Sequence, residues 1–505
     1  MNKIALLSVS DKTGIELLAG HLAQSGYQVL ATGKTFSVLE SAGIPVSEVS
    51  SYTGFPEIFG GRVKTLNPLI LGGILFRRDN EGDLKQAAGH KIDDIDVVCV
   101  NLYPFQKVAA NPDADVDELI ENIDIGGPSL IRAAAKNNAS VSVLTSPSQY
   151  AEFIERSKND TVTSEYRRML AVRAYEVTAN YDVAISNTLA DKFNSKKSYF
   201  SFSQPIADTL RYGENPHQQA FLSGGFNSLF EKFHGKELSY NNILDINSAF
   251  EIVREFDEPG CAIIKHNNPS GAAVHSSLMA AYKSALECDP VAAFGGIVAV
   301  NREIDGQLAG TLNEIFLEVI CAPSFSEEAL AVLRKKKDRR LVLIKDIQHK
   351  ESSNVRSVAG GFLVQDDDYL SDDFENLKVV TKKAPTEDQV KDLKFAWIIA
   401  RYAKSNSIVF VKDRRTVGIG AGQVSRVDAV KVAVMKAKQF GLTLENSIVA
   451  SDAFFPFPDG LEECARGGAC AFIQPGGSVR DEEVINAADK LKVSMVFTGK
   501  RHFKH

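Results

Sequence analysis

Tryptophan occurs once in these 505 residues, methionine five times, cysteine six times and histidine nine times. The cysteines (Cys99, Cys261, Cys288, Cys321, Cys464, Cys470) are scattered, with no CxxC pair. That spacing excludes a zinc ribbon, and a chain of this length has no need of disulfide staples, so they read as reduced and mostly core. No HExxH is present, and no catalytic transition metal is expected. No apolar run approaches the roughly 18 residues a spanning helix needs. The short apolar stretch after Met1-Asn2-Lys3 meets Asp11 and Lys12 too early for a signal-peptide core, which predicts a soluble, cytoplasmic protein. There is no excess of positive charge: the net charge is -7, which argues against a broad nucleic-acid face but leaves small anions as ligands.

What is present is the composition of a folded protein, 44% hydrophobic and 24% charged, in a chain longer than one core usually organises. Apolar runs alternate with helical periodicity from the start: a strand over Lys3–Ser10, a helix from about Gly14 to Gln24, a strand over Gln28–Thr32, then strands at Asp96–Leu102 and Val141–Thr145. This predicts an α/β fold with an open, doubly wound parallel sheet. Ligands of such sheets sit at the strands' C-terminal ends. The segments there are Ser8–Thr13, Thr32–Thr35 and Asn101–Pro104. A polar, aperiodic stretch around Asp191–Ser203 marks a linker, giving a first domain over 1–193, a linker over 194–200 and a second domain over 201–505. The second again alternates strands (261–265, 293–300, 341–345, 407–411, 448–450) with helices such as 387–404.

Several motifs carry chemistry. Thr32-Gly33-Lys34-Thr35 is no P-loop, since position 28 is Gln; it is either a phosphate-holding helix start or an ordinary turn. Gly60–Leu66 sets Arg62, Lys64 and Thr65 in a glycine-flanked loop suited to an anion, or simply solvated. Asp124 precedes a helix bearing Arg132 and Lys136, which by itself reads as helix decoration. The sharpest signal is Ile263–Gly271, an apolar strand that stops at Lys265-His266-Asn267 and a Pro/Gly turn, where a cation and a base near neutral pH stand together. Leu210–Gln218 packs a cation, an aromatic and several donors into one turn. Gly418–Gln423 fits a close-packed glycine strand better than a dinucleotide loop, and Ser451–Phe457 is either core or a platform for a flat ring.

Together SVSDKTG (8–14), GGRVKTL (60–66), NLYPF (101–105), IDIGGPS (123–129), RAAAKN (132–137), LRYGENPHQ (210–218), IKHNNPSG (264–271), GIGAGQ (418–423), SDAFFPF (451–457) and RHFKH (501–505) resemble, in order and from end to end, the PurH family of bifunctional purine biosynthesis proteins. The resemblance implies a methylglyoxal-synthase-like first domain and a second domain of two cytidine-deaminase-like subdomains without their zinc motif. It also implies a homodimer whose transferase site lies at the interface, with neither nucleic acid nor membrane as partner. The implied activities are formyl transfer from 10-formyltetrahydrofolate to the 5-amino group of an aminoimidazole carboxamide ribotide (AICAR), then dehydrative ring closure to IMP. No transition metal is implied, with room left for a monovalent cation.

Carried over by motif, Ser10, Lys12, Thr13, Gly33, Thr35, Arg62, Lys64 and Thr65 would meet the nucleotide phosphate in the first domain, with Asn101 and Gly126 beside them. Lys64, Tyr103, Asp124 and Lys136 would close the ring. In the second domain Lys265, His266 and Asn406 would perform the transfer; Arg211, Tyr212, Lys337, Arg501 and Phe503 would bind nucleotide; Phe454, Pro456, Asp459 and Asn267 would face the folate. The family usually has glycine at the position of Lys34, histidine at those of Asn67 and Leu71, and often Cys at that of Ser270. The first three departures favour the alternative of a formyltransferase whose first domain only binds and regulates; the intact ring-closure residues favour both activities.

Overall fold

β1 (Lys3–Val9) is buried along nearly its whole length, as a strand covered on both sheet faces must be. It pairs in parallel with β2 (Gln28–Ala31) on one side and β4 (Asp94–Asn101) on the other. β3 (Ser47–Glu48) and β5 (Ser142–Leu144) extend the sheet to the order β3-β2-β1-β4-β5, parallel throughout. The chain winds outward from β1 to β3, then returns to β4 and β5, so the switch point lies between β1 and β4. Helices Ile15–Gln24, Gly126–Lys136 and Ser164–Lys192 press Leu18, Leu22, Leu130, Ile131 and Leu170 onto the sheet.

The computed structural model describes residues 3–59, 63–349, 353–368, 374–375 and 377–505. The chain forms two compact units, Met1–Gln204 and Pro205–His505. The stretch read as a linker stays with the first unit, where Asn187 Nδ2 donates to the Ser201 carbonyl at 3.1 Å.

In the second unit β6 (Ile206–Leu210) and β7 (Ala220–Ser223) form one antiparallel ribbon, and β14 (Ser353–Val358) and β15 (Gly361–Asp366) another. The remaining described strands are β8 (Phe230–His234), β9 (Gly260–Lys265), β10 (Asn268–Val274), β11 (Ile297–Val300), β12 (Val319–Ala322), β13 (Arg340–Ile344), β16 (Lys378–Val379), β17 (Ile408–Lys412), β18 (Arg415–Gly420), β19 (Ser447–Ser451), β20 (Ala469–Gln474) and β21 (Ser494–Phe497). They make one sheet in the order β16-β21-β20-β19-β17-β18-β10-β9-β11-β12-β13-β8.

This order contains a duplication. In β10-β9-β11-β12-β13 the first two pairings are antiparallel and the next two parallel, and β18-β17-β19-β20-β21 repeats that pattern; the copies meet where β10 pairs with β18. Each copy lays a helix on a glycine of its second strand. A Cβ at Gly271 would collide with the Ala285 carbonyl, and one at Gly420 with the Ala429 carbonyl. This is the close-packed glycine strand expected at 418–423. The strand read over 293–300 begins only at Ile297, because Pro290–Ala293 is a helical turn capped by Asp289.

Candidate functional site

In the first unit, β1 ends at Val9 and β4 at Asn101, and the Asn101 amide ties the two loops together. Its Oδ1 accepts from Ser10 N at 2.6 Å and Asp11 N at 2.8 Å, while its Nδ2 donates to the Asp11 carbonyl at 2.8 Å. Thr35 is likewise engaged: its hydroxyl donates to the Val9 carbonyl at 3.1 Å and accepts from Val9 N at 3.2 Å. Asn101 and Thr35 therefore shape the loop through these contacts. Thr13 caps itself onto Asp11.

Lysines gather around the first turn of helix Gly33–Ser41, whose free N–H groups favour an anion. Lys12 Nζ is held by the Val9 carbonyl at 2.9 Å, and the Lys64 ammonium lies 3.3 Å from where a Cβ on Gly33 would stand. Burial, then the charge of nearby Lys34, holds Lys12 below the usual lysine range. Thr65 is buried beside Gly126, its hydroxyl 2.7 Å from the position of a Cβ there.

Asp124 completes this cluster. Its Oδ1 accepts from Gly127 N at 2.8 Å, and Tyr181 fixes its main chain by accepting from Asp124 N at 2.8 Å. Burial pushes its carboxyl above the ordinary range, against the lowering effect of the Gly127 and Tyr103 N–H groups and of Lys64. Tyr103 is half exposed, and its phenol is raised by burial and then by Asp124. A carboxyl that can be protonated, an ammonium and a phenol at one helix start can move protons and stabilise an oxyanion.

Lys136 does not join them within this unit. It ends the helix that Gly126 begins, roughly 15 Å along the axis. Its neighbour Asn137 donates to the Ile74 and Phe76 carbonyls, beside Arg78 and the amino end of β4, the opposite edge of the sheet. Arg62 and the glycines before it lie outside the described residues. The departures at 67 and 71 have structural roles: Asn67 caps helix Pro68–Leu75 by accepting from Leu69 N at 2.8 Å, and Leu71 packs on the core.

In the second unit, His266 and Asn267 are the two central residues of the β9–β10 hairpin, with Lys265 opposite Asn268. Both are left-handed, φ 52° and 62°, the geometry of a type I′ turn. The turn is thus shorter than the Pro/Gly loop read from sequence; Pro269 and Gly271 belong to β10, at a bulge. His266 is exposed, and Lys265 Nζ donates to the Gly295 carbonyl at 2.9 Å. Asn268 Oδ1 accepts from Lys404 N at 2.9 Å, bringing the segment with Asn406 to this hairpin. Asn406 is clamped at both ends of its amide, Oδ1 accepting from Arg426 at 2.8 Å and Nδ2 donating to the Gln423 carbonyl at 2.8 Å. Arg426 in turn pairs with fully buried Asp452 at 2.6 Å.

The remaining candidates are spread out. Arg211 and Tyr212 line a cavity of about 770 Å³ with Lys232, Lys236, Ser239 and Arg340. Lys337 is exposed just before β13, at the sheet edge where β9 ends but three strands away, roughly 14 Å. Arg501 lies over the Phe503 ring at 4.7 Å, and both are exposed. Of the aromatic run, Phe455 is core, Phe454 half-buried and Pro456 exposed; Asp459 sits in the first turn of the helix that starts at Pro458 and accepts from Gly460 N at 2.8 Å. The Asn267 amide oxygen is engaged by Ser248 Oγ. Sequence reasoning missed Asp245, Ser248, Arg426 and Tyr181, since polar residues on amphipathic helices give no sign of facing inward. Among the described residues no three His, Cys, Asp or Glu side chains converge as a metal cage, and no helix is long and apolar enough to cross a membrane.

Residues 134–436 match the AICARFT/IMPCHase bienzyme family, and residues 14–129 the MGS-like domain. The chain is 49% identical to the bifunctional purine biosynthesis protein PurH of Persephonella marina, over all of both chains. It is 50% identical to the PurH of Chlorobium chlorochromatii, over all of this chain and 99% of that one. The PurH of Thermoanaerobacter sp. is 48% identical over all of both.

Proposed function

The chain belongs to the AICARFT/IMPCHase bienzyme family and catalyses the last two steps of IMP synthesis, formylation of AICAR from a formyl-folate and cyclisation of the product; on that premise we propose how its two units share the work. Ring closure is assigned to Met1–Gln204. The carboxamide nitrogen attacks the formyl carbon, and water is then lost. Lys64 stabilises the oxyanion, and Asp124, with Tyr103, carries protons between the attacking nitrogen and the departing oxygen. Ser10, Lys12, Thr13, Gly33, Lys64 and Thr65 surround the phosphate, while Asn101 and Thr35 hold the loop that presents them. Lys136 is left out of this chemistry.

Formyl transfer is assigned to Pro205–His505, with 10-formyltetrahydrofolate as donor. The 5-amino group is a weak nucleophile and the N-formyl carbon a poor electrophile. His266 takes the amine proton, Lys265 stabilises the oxyanion or protonates the leaving folate nitrogen, and Asn406 orients the reacting amide. The observation that supports this assignment is the Asn268–Lys404 hydrogen bond, which ties the hairpin bearing Lys265 and His266 to the segment bearing Asn406. Arg211, Tyr212, Lys337, Arg501 and Phe503 serve the nucleotide, and Phe454, Pro456 and Asp459 the folate. A homodimer would gather these dispersed groups. Supporting it, the two small ribbons expose Ile206, Phe221, Val355, Phe362 and Leu363. All six cysteines are free, which suits a reducing cytoplasm.

The test is one incubation of the full chain with AICAR and 10-formyltetrahydrofolate, recording tetrahydrofolate release and IMP together. Equal yields beyond the no-enzyme rate of cyclisation are expected. Accumulation of formyl-AICAR would overturn the assignment of the first unit, and absence of tetrahydrofolate that of the second.

A further inference from the structure

The hairpin that presents His266 is strained by its own residues. A left-handed conformation crowds the Cβ of a non-glycine residue, less so for Asn than for His, and here two such residues are adjacent. Something outside the turn must hold it. Helix Tyr240–Val253 supplies Asp245, whose Oδ1 accepts from Asn267 N at 2.6 Å, with the His266 N–H directed at the same carboxylate. Three residues on, Ser248 Oγ engages the Asn267 side chain.

The duplicated half contains the same device. Asp413 and Arg414, φ 54° and 53°, form the two-residue β17–β18 hairpin. Asp392, on helix Glu387–Tyr402, accepts from Asp413 N at 3.0 Å and Arg414 N at 2.6 Å. Each half therefore stabilises a left-handed hairpin with a carboxylate from its preceding helix. Only the first hairpin carries an imidazole beside its lysine; the second has Asp413 after Lys412.

We propose that Asp245 is the positioning residue of formyl transfer: it fixes the left-handed His266–Asn267 hairpin and thereby aims the His266 imidazole at the amine. Burial holds the Asp245 carboxyl above its ordinary range, opposed by the Asn267 N–H and by the charges of His266 and Lys265, so its environment is bound up with the reacting pair. The proposal rests on His266 being the base. Asp392 is its built-in control, the same backbone device without the chemistry.

The experiment compares full-length Asp245→Ala, Asp245→Asn, Ser248→Ala, Asp392→Ala, His266→Ala and the Asp245→Ala/His266→Ala double variant, with circular dichroism and the melting profile of the whole chain as the folding check, since ring closure reports only on the first unit. Asp245→Ala should lower transferase kcat by about tenfold to a hundredfold, the scale of a small misplacement, while KM for AICAR holds. Asp245→Asn, which keeps an accepting oxygen, should restore much of it. Asp392→Ala should leave kcat unchanged, and Asp245→Ala should cause no further loss once His266 is gone. A full further loss in the double variant, or an equal loss in Asp392→Ala, would show a merely structural role and overturn the proposal. Should Asp245→Ala not fold, a Ser248→Ala variant with unchanged kcat would overturn it. A fully active His266→Ala would instead remove the assignment of the base and the proposal with it.

Discussion

Replacing Asp124 by Asn removes one ionisable group while sparing the fold. The Asp124 Oδ1 that accepts from Gly127 N at 2.8 Å has an equivalent in asparagine, which serves as well at a helix start. What is lost is proton transfer, worth about a hundredfold to ten-thousandfold when one side chain supplies it. In barrier height this is roughly 2.7–5.4 kcal/mol. The assay supplies formyl-AICAR directly and follows IMP, with tetrahydrofolate release from AICAR as the internal reference, expected to be unchanged. Because burial raises the Asp124 carboxyl, the acid limb of the parental ring-closure profile should lie above the ordinary carboxylate range, and the variant should lack that limb. Stability should move the other way. A carboxyl raised in the folded state favours folding below its unfolded value, and that contribution is lost as pH rises through the folded value. Near neutrality Asp124→Asn should therefore melt no lower than the parent, with any advantage shrinking on acidification. A variant with parental Tm and ring closure within about threefold of the parent would refute the reasoning, because it falls below the range of general catalysis.

Gly127→Ala should act on the same carboxylate by steric means: its Cβ would collide with Asp124 Oδ2 and stand 2.7 Å from Leu102 Cδ2, so ring closure should fall at least about tenfold with transfer intact. Lys34→Ala removes an exposed cation beside Lys12; an exposed charge contributes about 0.2–1 kcal/mol, so KM for formyl-AICAR should rise no more than about fivefold at constant kcat, and less in high salt. Gly420→Ala drives a methyl into the Ala429 carbonyl and should cost about 1–3 kcal/mol or more, read as a lowered urea midpoint. An unchanged midpoint would mean that the helix Arg426–Gln439 shifts freely.

Several candidate residues drew attention before any fold was known. Lys64, Asp124, Lys265 and His266 stand at the ends of apolar runs or in glycine-flanked loops, where ligands of such folds are met, although each motif by itself also fits a solvated loop or helix start. Lys136 stands apart within its unit because the motif that carries it is a helix, and sequence order hides the length of a helix axis: one end reaches the crevice, the other the far edge of the sheet. Asp245 and Ser248 stayed invisible for the converse reason. Their helix shows the same polar pattern whether a side chain meets water or caps a turn from another strand.

Periodicity by itself determined the inner strands of the parallel first sheet, because burial on both faces leaves its mark on them, as in Ile4–Leu7 and Val97–Val100, whereas the polar edge strand Ser47–Glu48 left none. Order of motifs determined the family. The family resemblance implied two like subdomains in the second unit, but only the tertiary structure decided their strand order, the left-handed hairpin and the carboxylates that hold it, since strand order and hydrogen bonds between residues far apart in the chain leave no local trace. Local sequence reports which face of an element is dry; only packing reports what lies against it.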